Sequence, residues 1–148
     1  AYASHEILPL PSNAPSLGLA YDPRMGSLAH QLGVGAALYR GLRPAALDLL
    51  AELAARVRAL AGGSGPLTVT STVSDQHYQQ LLGISDPPAA AGWSFTIARH
   101  YVKEAQALAF QAMLDRLQAL NLIAWERFPS EIEVTVATDA AKVIVDGP

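Results

Sequence analysis

Between Pro44 and Leu60 apolar residues recur every three or four positions, at Leu47, Leu50, Ala54, Val57 and Leu60. That spacing lays a single stripe along an α-helix. Pro44 suits the first helical position, where its missing N–H is not needed, and Gly62-Gly63 supplies the stop. A second helical period runs from Glu104 to Leu120 through Ala107, Phe110, Leu114 and Leu117. Asn121, which tolerates a left-handed backbone, ends it. Met25 to Tyr39, with Leu28, Leu32 and Ala36 four apart, is also expected to be helical, although Gly33 and Gly35 weaken it. The period changes to two in Leu67-Thr68-Val69-Thr70-Ser71, and again where Trp93, Phe95 and Ile97 alternate with Ser94 and Thr96. Both runs predict strands. Leu122 to Trp125, Ile132 to Val136 and Lys142 to Val145 predict three more. Ser74 or Asp75 can cap a short helix through Leu82, and Gly83 to Gly92, with Asp86-Pro87-Pro88, reads as a loop. Pro9, Pro11, Pro15 and Pro23 remove backbone donors, so residues 1–24 are expected to form an extended arm over one domain spanning 25–148. Helices and strands follow no regular βαβ alternation. The expected class is α+β, a small antiparallel sheet packed against helices.

Composition narrows the function. A chain of 148 residues with 51% hydrophobic residues has enough apolar surface for one buried core. Charged residues make up 16% and the formal net charge is -3, so there is no cationic face for a phosphate backbone and nucleic acid is not expected as a partner. The longest apolar stretch, Ala45 to Leu60, is interrupted by Asp48, Glu52, Arg56 and Arg58, so membrane insertion is not expected either. Cysteine is absent, which removes disulfides, Cys-ligated zinc and thiol catalysis together. The opening Ala1-Tyr2-Ala3 has neither a Met nor the charged-then-apolar pattern of a signal peptide, as in a processed chain or a cut fragment.

Three phrases of the sequence carry a family resemblance, from about Pro44 to Val136. Thr70-Ser71-Thr72-Val73-Ser74-Asp75 followed by Tyr78-Gln79 resembles a strand that ends in Ser-Gly-Tyr-Arg before a helix with a Gln. Ser74 stands in the place of the arginine. Gly92-Trp93-Ser94-Phe95-Thr96-Ile97 resembles the second half of Ser-x-His-x-x-Gly-x-Ala-x-Asp, with Thr96 for the Asp and Ala89 where the His belongs. Asn121-Leu122-Ile123-Ala124-Trp125 and Ile132-Glu133-Val134-Thr135-Val136 resemble a Gly-x-Ile-x-Trp strand and its Ile-His-Val-Thr-Val partner, with Glu133 for the His. These are the motifs of the zinc D-Ala-D-Ala carboxypeptidases and the Hedgehog-type peptidases, which the chain resembles as a degenerate member. The resemblance implies a Hedgehog/DD-peptidase-like fold, a cleft at Ser74, Ala89, Thr96, Ser130, Glu131 and Glu133, and a bacterial location outside the cytoplasm. The catalytic Glu of the family falls at Ser130, or at Glu131 after a slip of one position. Strand alternation agrees in part: Ser94 and Thr96 share one face, Glu133 and Thr135 share another, and the apolar alternates point away.

The substitutions remove the chemistry. A catalytic zinc needs three protein ligands and an open position for water. Ala89 has no donor atom, the Thr96 hydroxyl is a poor zinc ligand, and Glu133 alone leaves one carboxylate. Ser74 lacks the charge and the fork with which an arginine grips a terminal carboxylate. The expectation is therefore a non-catalytic domain, with no cofactor, that keeps the old cleft to bind cell-wall peptide or a protein partner. The alternatives are a purely structural or oligomeric module with a closed cleft, and a hydrolase with a rebuilt site. For the last, His5, His30, His77 and His100 would have to join Glu131 or Glu133 around a metal, yet no His-x-x-x-His pair is present. Ser71, Ser74 or Ser94 as a nucleophile would need an adjacent base, and there is no Gly-x-Ser-x-Gly elbow. Trp93 and Trp125, on apolar strand faces, read as core rather than as stacking platforms.

Overall fold

A computed structural model describes residues 7–27, 29–32, 35, 39–62, 66–73, 79, 91–101 and 103–137. In chain order the strands are β1 (Leu8–Pro9), β2 (Leu19–Tyr21), β3 (Gly41–Leu42), β4 (Leu67–Ser71), β5 (Ser94–Ala98), β6 (Ile123–Arg127) and β7 (Glu131–Val136). The helices are α1 (Pro44–Leu60), between β3 and β4, and α2 (Glu104–Ala119), between β5 and β6. The fold is α+β. Its main sheet has the order β2-β4-β5-β7-β6, and β1 and β3 form a separate antiparallel pair.

Both long helices form where the apolar period lies, and both end as their sequences require. Asn121 has φ 60°; its N–H donates to the Gln118 carbonyl at 2.9 Å and the Leu122 N–H to the Leu117 carbonyl at 3.0 Å. Those two bonds close a Schellman cap with asparagine at the left-handed position. Gly62, with φ 71°, plays the same part after α1. The buried faces differ somewhat from expectation. On α1 the core takes Ala46, Leu49, Leu50, Leu53, Ala54 and Val57, whereas Leu60 is 63% exposed and Leu47 only half-buried. A helix this rich in leucine carries two adjacent stripes, and packing against the sheet chose the one through Leu49 and Leu53. Arg56 and Glu52, one turn apart, form a surface ion pair at 2.5 Å; exposed pairs of this kind are worth only about 0.3–0.5 kcal/mol.

α1 and α2 pack on each other and on one face of the sheet. That face is built from Val69, Phe95, Ile97, Ile123, Ile132, Val134 and Val136, all buried in one cluster with the helical leucines and Phe110. Gln106 is buried at 1% exposure within this layer, and its amide donates to the Pro66 carbonyl at 3.0 Å, tying α2 to the start of β4. A buried amide needs such a partner.

Three expectations are corrected. Within the segment 1–24 expected as an arm over the domain, Leu19–Tyr21 instead forms β2, an edge strand of the main sheet. Leu19, Ala20 and Tyr21 pair in parallel with Leu67, Thr68 and Val69, so the sheet is antiparallel except at this edge. A parallel pair needs a long crossover between its strands, and α1 lies in that connection. The region Met25 to Tyr39 is not one helix: its described residues hold turns and a short 3-10 helix at Ala29–Leu32. Glycine lowers helix propensity, and three glycines fall in that stretch. β6 continues past Trp125 to Arg127. The expected strand Lys142 to Val145 lies outside the described residues, as does the expected helix from Ser74 to Leu82 apart from Gln79.

Candidate functional site

The helices leave the opposite face of the sheet without their cover, and there most of the alternate residues are polar. Strand alternation aims Ser94 and Thr96 of β5, and Glu131, Glu133 and Thr135 of β7, away from the core. Register decides which of them meet. Thr96 is the direct partner of Glu133, Ser94 of Thr135, and Ala98 of Glu131. On the outer side Glu126 of β6 stands opposite Glu133. Two of the family-matched positions, Thr96 and Glu133, therefore adjoin across one pair of strands.

An irregularity in β4 brings in further hydroxyls. Val69 is opposite Ile97 but Ser71 is opposite Thr96, so two steps on β4 match one on β5 and Thr70 is the extra residue of a β-bulge. The bulge lets consecutive residues, Thr70 and Ser71, both reach Thr96. Thr70 and Thr96 are in hydrogen-bond contact, Ser71 Oγ lies 2.7 Å from Thr96 Oγ1, and Thr70 Oγ1 donates to Glu131 Oε2 at 2.9 Å. Counting hydrogens sets the direction of the network. A carboxylate only accepts, and each hydroxyl has one hydrogen. Thr70 gives its hydrogen to Glu131, so Thr96 donates to Thr70, and Ser71 in turn donates to Thr96. The result is a one-way chain from Ser71 through Thr96 and Thr70 to Glu131. Ser94 Oγ and Thr135 Oγ1 pair separately at 2.8 Å. Thr96 is 6% exposed and Ser94 1%, so this is a buried polar seam that runs out to one half-buried carboxylate, Glu131.

The remaining expected site residues fall elsewhere. Ser130 is exposed in the turn between β6 and β7, where its carbonyl accepts the Arg99 N–H at 2.8 Å. Of the two positions considered for the family's glutamate, it is Glu131 that joins the network. Ser74 and Ala89 lie outside the described residues, as do His5 and His77. Gly92, the glycine of the matched phrase, has φ 82°, and a Cβ there would collide with the Ile7 side chain. It must be glycine for backbone reasons alone. Its carbonyl accepts the Arg43 N–H at 3.0 Å, while the Arg43 guanidinium bonds Ala91 O at 2.7 Å and stacks 5.4 Å from the Trp93 ring. Trp93 and Trp125 are half-buried against the core, and the Trp125 Nε1 is buried with no hydrogen-bond partner among the described residues. Thr72, unremarked in the sequence, is 1% exposed; its hydroxyl accepts the Gly41 N–H at 3.0 Å and donates to Tyr39 O at 2.7 Å. It fastens β3 to the end of β4.

The donor set does not fit zinc. Thr96 offers a neutral hydroxyl already committed to two neighbours, Glu133 a carboxylate, and Ala89 no donor at all. Among the described residues no three of His, Cys, Asp and Glu lie together in a way that could hold an ion. Among the described residues the hydroxyl chain ends on a carboxylate, reached from Ser71 through two threonines, and no imidazole or amine of those residues is hydrogen-bonded to it, whereas an activated nucleophile needs an adjacent base. The seam can accept hydrogen bonds at Glu131, whose carboxylate has further lone pairs beyond the one Thr70 uses, and it can present negative charge at Glu126 and Glu133. Among the described residues no helix is long and apolar enough to cross a membrane. Compared with known proteins, the chain matches no family model, no curated protein and no solved structure.

Proposed function

We propose that the chain is a non-catalytic domain of the zinc D,D-carboxypeptidase type, which binds a short cell-wall peptide, or a segment of a protein partner, along its polar sheet face outside the bacterial cytoplasm. The observation that carries this reading is the direct pairing of Thr96 with Glu133. An aspartate and a histidine at those two positions would sit on one face of neighbouring strands, as two ligands of one metal must. Present instead are a hydroxyl and a carboxylate, with Glu131 and Glu126 nearby, a surface that accepts N–H donors and favours an amine-bearing peptide.

A structural module is the second reading, favoured by the burial of Ser94 and Thr96 and by the internal pairing of the hydroxyls. Titrating a lysine-containing peptide that ends in D-Ala-D-Ala, while recording amide NMR shifts, separates the two. Binding predicts saturable shifts at Thr96, Glu131 and Glu133, weakened at least about tenfold by Glu131→Gln, the loss of a charge-assisted bond. The absence of any shift, with Glu131→Gln altering only thermal stability, leaves the structural module. Ancestry has its own test. Ala89→His, Thr96→Asp and Glu133→His combined are expected to bind zinc at about micromolar Kd, because the residues that orient ligands are missing and commonly matter 10–100-fold. A folded triple variant no tighter than its single-substitution parents would sink the carboxypeptidase reading.

A further inference from the structure

β6 is an edge strand of the main sheet, so one row of its backbone groups points away from the other described strands. Register and hydrogen bonding say which row. Phe128 N–H donates to Glu131 O at 2.8 Å and Ala137 N–H to Leu122 O at 2.8 Å, so both are hydrogen-bonded pairs of the antiparallel ladder between β6 and β7. Bonded and non-bonded pairs alternate along such a ladder. Ala124 and Glu126 are therefore the residues of β6 bonded to β7, and Ile123, Trp125 and Arg127 turn their N–H and C=O groups outward. Val136, opposite Ile123, agrees: its N–H points away from β6 and donates to Trp93 O at 2.8 Å. Among the described residues none of the three outward residues has a backbone partner across the edge. The other edge, β2, is blunted, being only three residues long with Pro23 close behind it, whereas β6 runs for five residues without proline, glycine or bulge.

An open edge takes a strand, and the pattern of β6 fits a second β6. Its apolar residues Ile123 and Trp125 lie on the helix-bearing face and Ala124 and Glu126 on the polar one. A twofold axis perpendicular to the sheet brings up the second strand antiparallel and keeps each face on its own side. Opposite residues then share a face, so the axis must pass through a residue of β6. With the axis at Trp125, Ile123 meets Arg127 of the second copy, Trp125 meets its own counterpart, and Ala124 meets Glu126. Every outward N–H and C=O of the strand finds a partner, and no like charges stand opposite each other. Moving the axis to Glu126 sets two carboxylates face to face, which is destabilising, and puts Ile123 against Pro129, which has no N–H. Moving it to Ala124 puts Arg127 against Asn121, which has left the strand conformation at φ 60°. We propose that two copies of this chain associate through β6, antiparallel about Trp125, and join their main sheets into one continuous sheet. One added strand pair is small beside the roughly 1,200–2,000 Å² of a stable interface, so the dimer is weak and depends on concentration. The edge is distinct from the polar face, so the dimer stands or falls independently of the carboxypeptidase reading.

The test is sedimentation equilibrium and amide hydrogen exchange of the whole chain between about 10 μM and about 1 mM, with an expected dimer Kd of about 100 μM. At the upper concentration the amides of Ile123, Trp125 and Arg127 should exchange at least about threefold more slowly, while those of Ala124, Glu126 and Phe128, already bonded to β7, should not change. Arg127→Pro removes an outward N–H that β7 does not use, and Arg127→Ala removes the same side chain but keeps the N–H. The alanine variant should dimerise within about threefold of the wild type and the proline variant at least about tenfold more weakly. A dimer that leaves the three outward amides unprotected overturns the proposal, as does a proline variant that associates as well as the alanine one. So does a chain that stays monomeric at about 1 mM; if an added acetyl-Thr-Val-Thr-Val-Thr-amide peptide then protects the same three amides, the edge takes a foreign strand instead. Exchange is read on the unaltered chain, so it decides the matter even if Arg127→Pro fails to fold.

Discussion

Thr96 holds the polar seam together, since its hydroxyl both donates and accepts within the chain from Ser71 to Glu131. Replacing it with the isosteric valine leaves the half-buried hydroxyl of Ser71 without its acceptor and deprives Thr70 of a donor. Thr96→Val is expected to cost about 1–3 kcal/mol in urea unfolding. Thr68→Val, which removes a half-buried hydroxyl that has no partner among the described residues, should stay within about 0.5 kcal/mol. Equal effects would mean that the seam contributes nothing to stability. Asp22 offers a pH test. The Arg24 backbone N–H donates to its carboxylate at 2.9 Å, and with the Arg24 side chain outweighs the opposing effect of burial, holding the group below its ordinary value of 3.8. A carboxyl whose folded pKa is depressed adds stability above the unfolded value and loses it as the pH falls through the folded one. The stability gap between the wild type and Asp22→Asn should therefore be present near neutral pH and close well below 3.8. A gap that is the same at both ends excludes a role for the Asp22 charge.

At the scale of elements, α2 is the clearest case of pattern becoming packing. Phe110 is 0% exposed at the centre of the core, whereas Leu108, two residues earlier, is 65% exposed. Phe110→Ala is expected to cost about 3–5 kcal/mol through lost burial and a cavity, and Leu108→Ala less than about 0.5 kcal/mol. Similar midpoints for the two variants would put the wrong face of α2 against the sheet. The helical and strand periods were legible because they are local: side chains three or four apart meet on a helix whatever lies beyond it. The bulge at Thr70 was not legible, because a bulge is set by how two strands align, and β4 has no glycine to mark it. Three successive hydroxyls, Thr70-Ser71-Thr72, were the only sign in the chain that this strand does more than alternate.

For the whole molecule, the proline-rich start proves to be structure. Leu19 is 1% exposed, Leu67 N–H donates to Gly18 O at 3.0 Å, Asp22 N–H to Val69 O at 2.9 Å, and Arg58 Nη2 to Ser16 O at 2.6 Å. A chain beginning at Met25 would expose the edge of β4 and uncover the apolar surface that Leu19 closes. It is expected to lose cooperative thermal unfolding, or to melt well below the full chain, as followed by circular dichroism. An unchanged melt would restore the reading of residues 1–24 as an extended arm over the domain.

The amino-acid sequence by itself determined the two long helices, their stops at Gly62 and Asn121, and the alternation that puts Thr96, Glu131 and Glu133 on polar faces, since all of these depend on near neighbours. That Ala89 and Thr96 supply no good zinc donor was readable too, because an alanine or a threonine has the same donor atoms in any fold. Only the tertiary structure decided that Thr96 lies opposite Glu133, that Ser130 sits outside in a turn, and that β2 joins the sheet in parallel. Those are relations between residues far apart in the chain, set by strand register and by which helix face found the sheet. Side-chain type and spacing along the chain do not encode them.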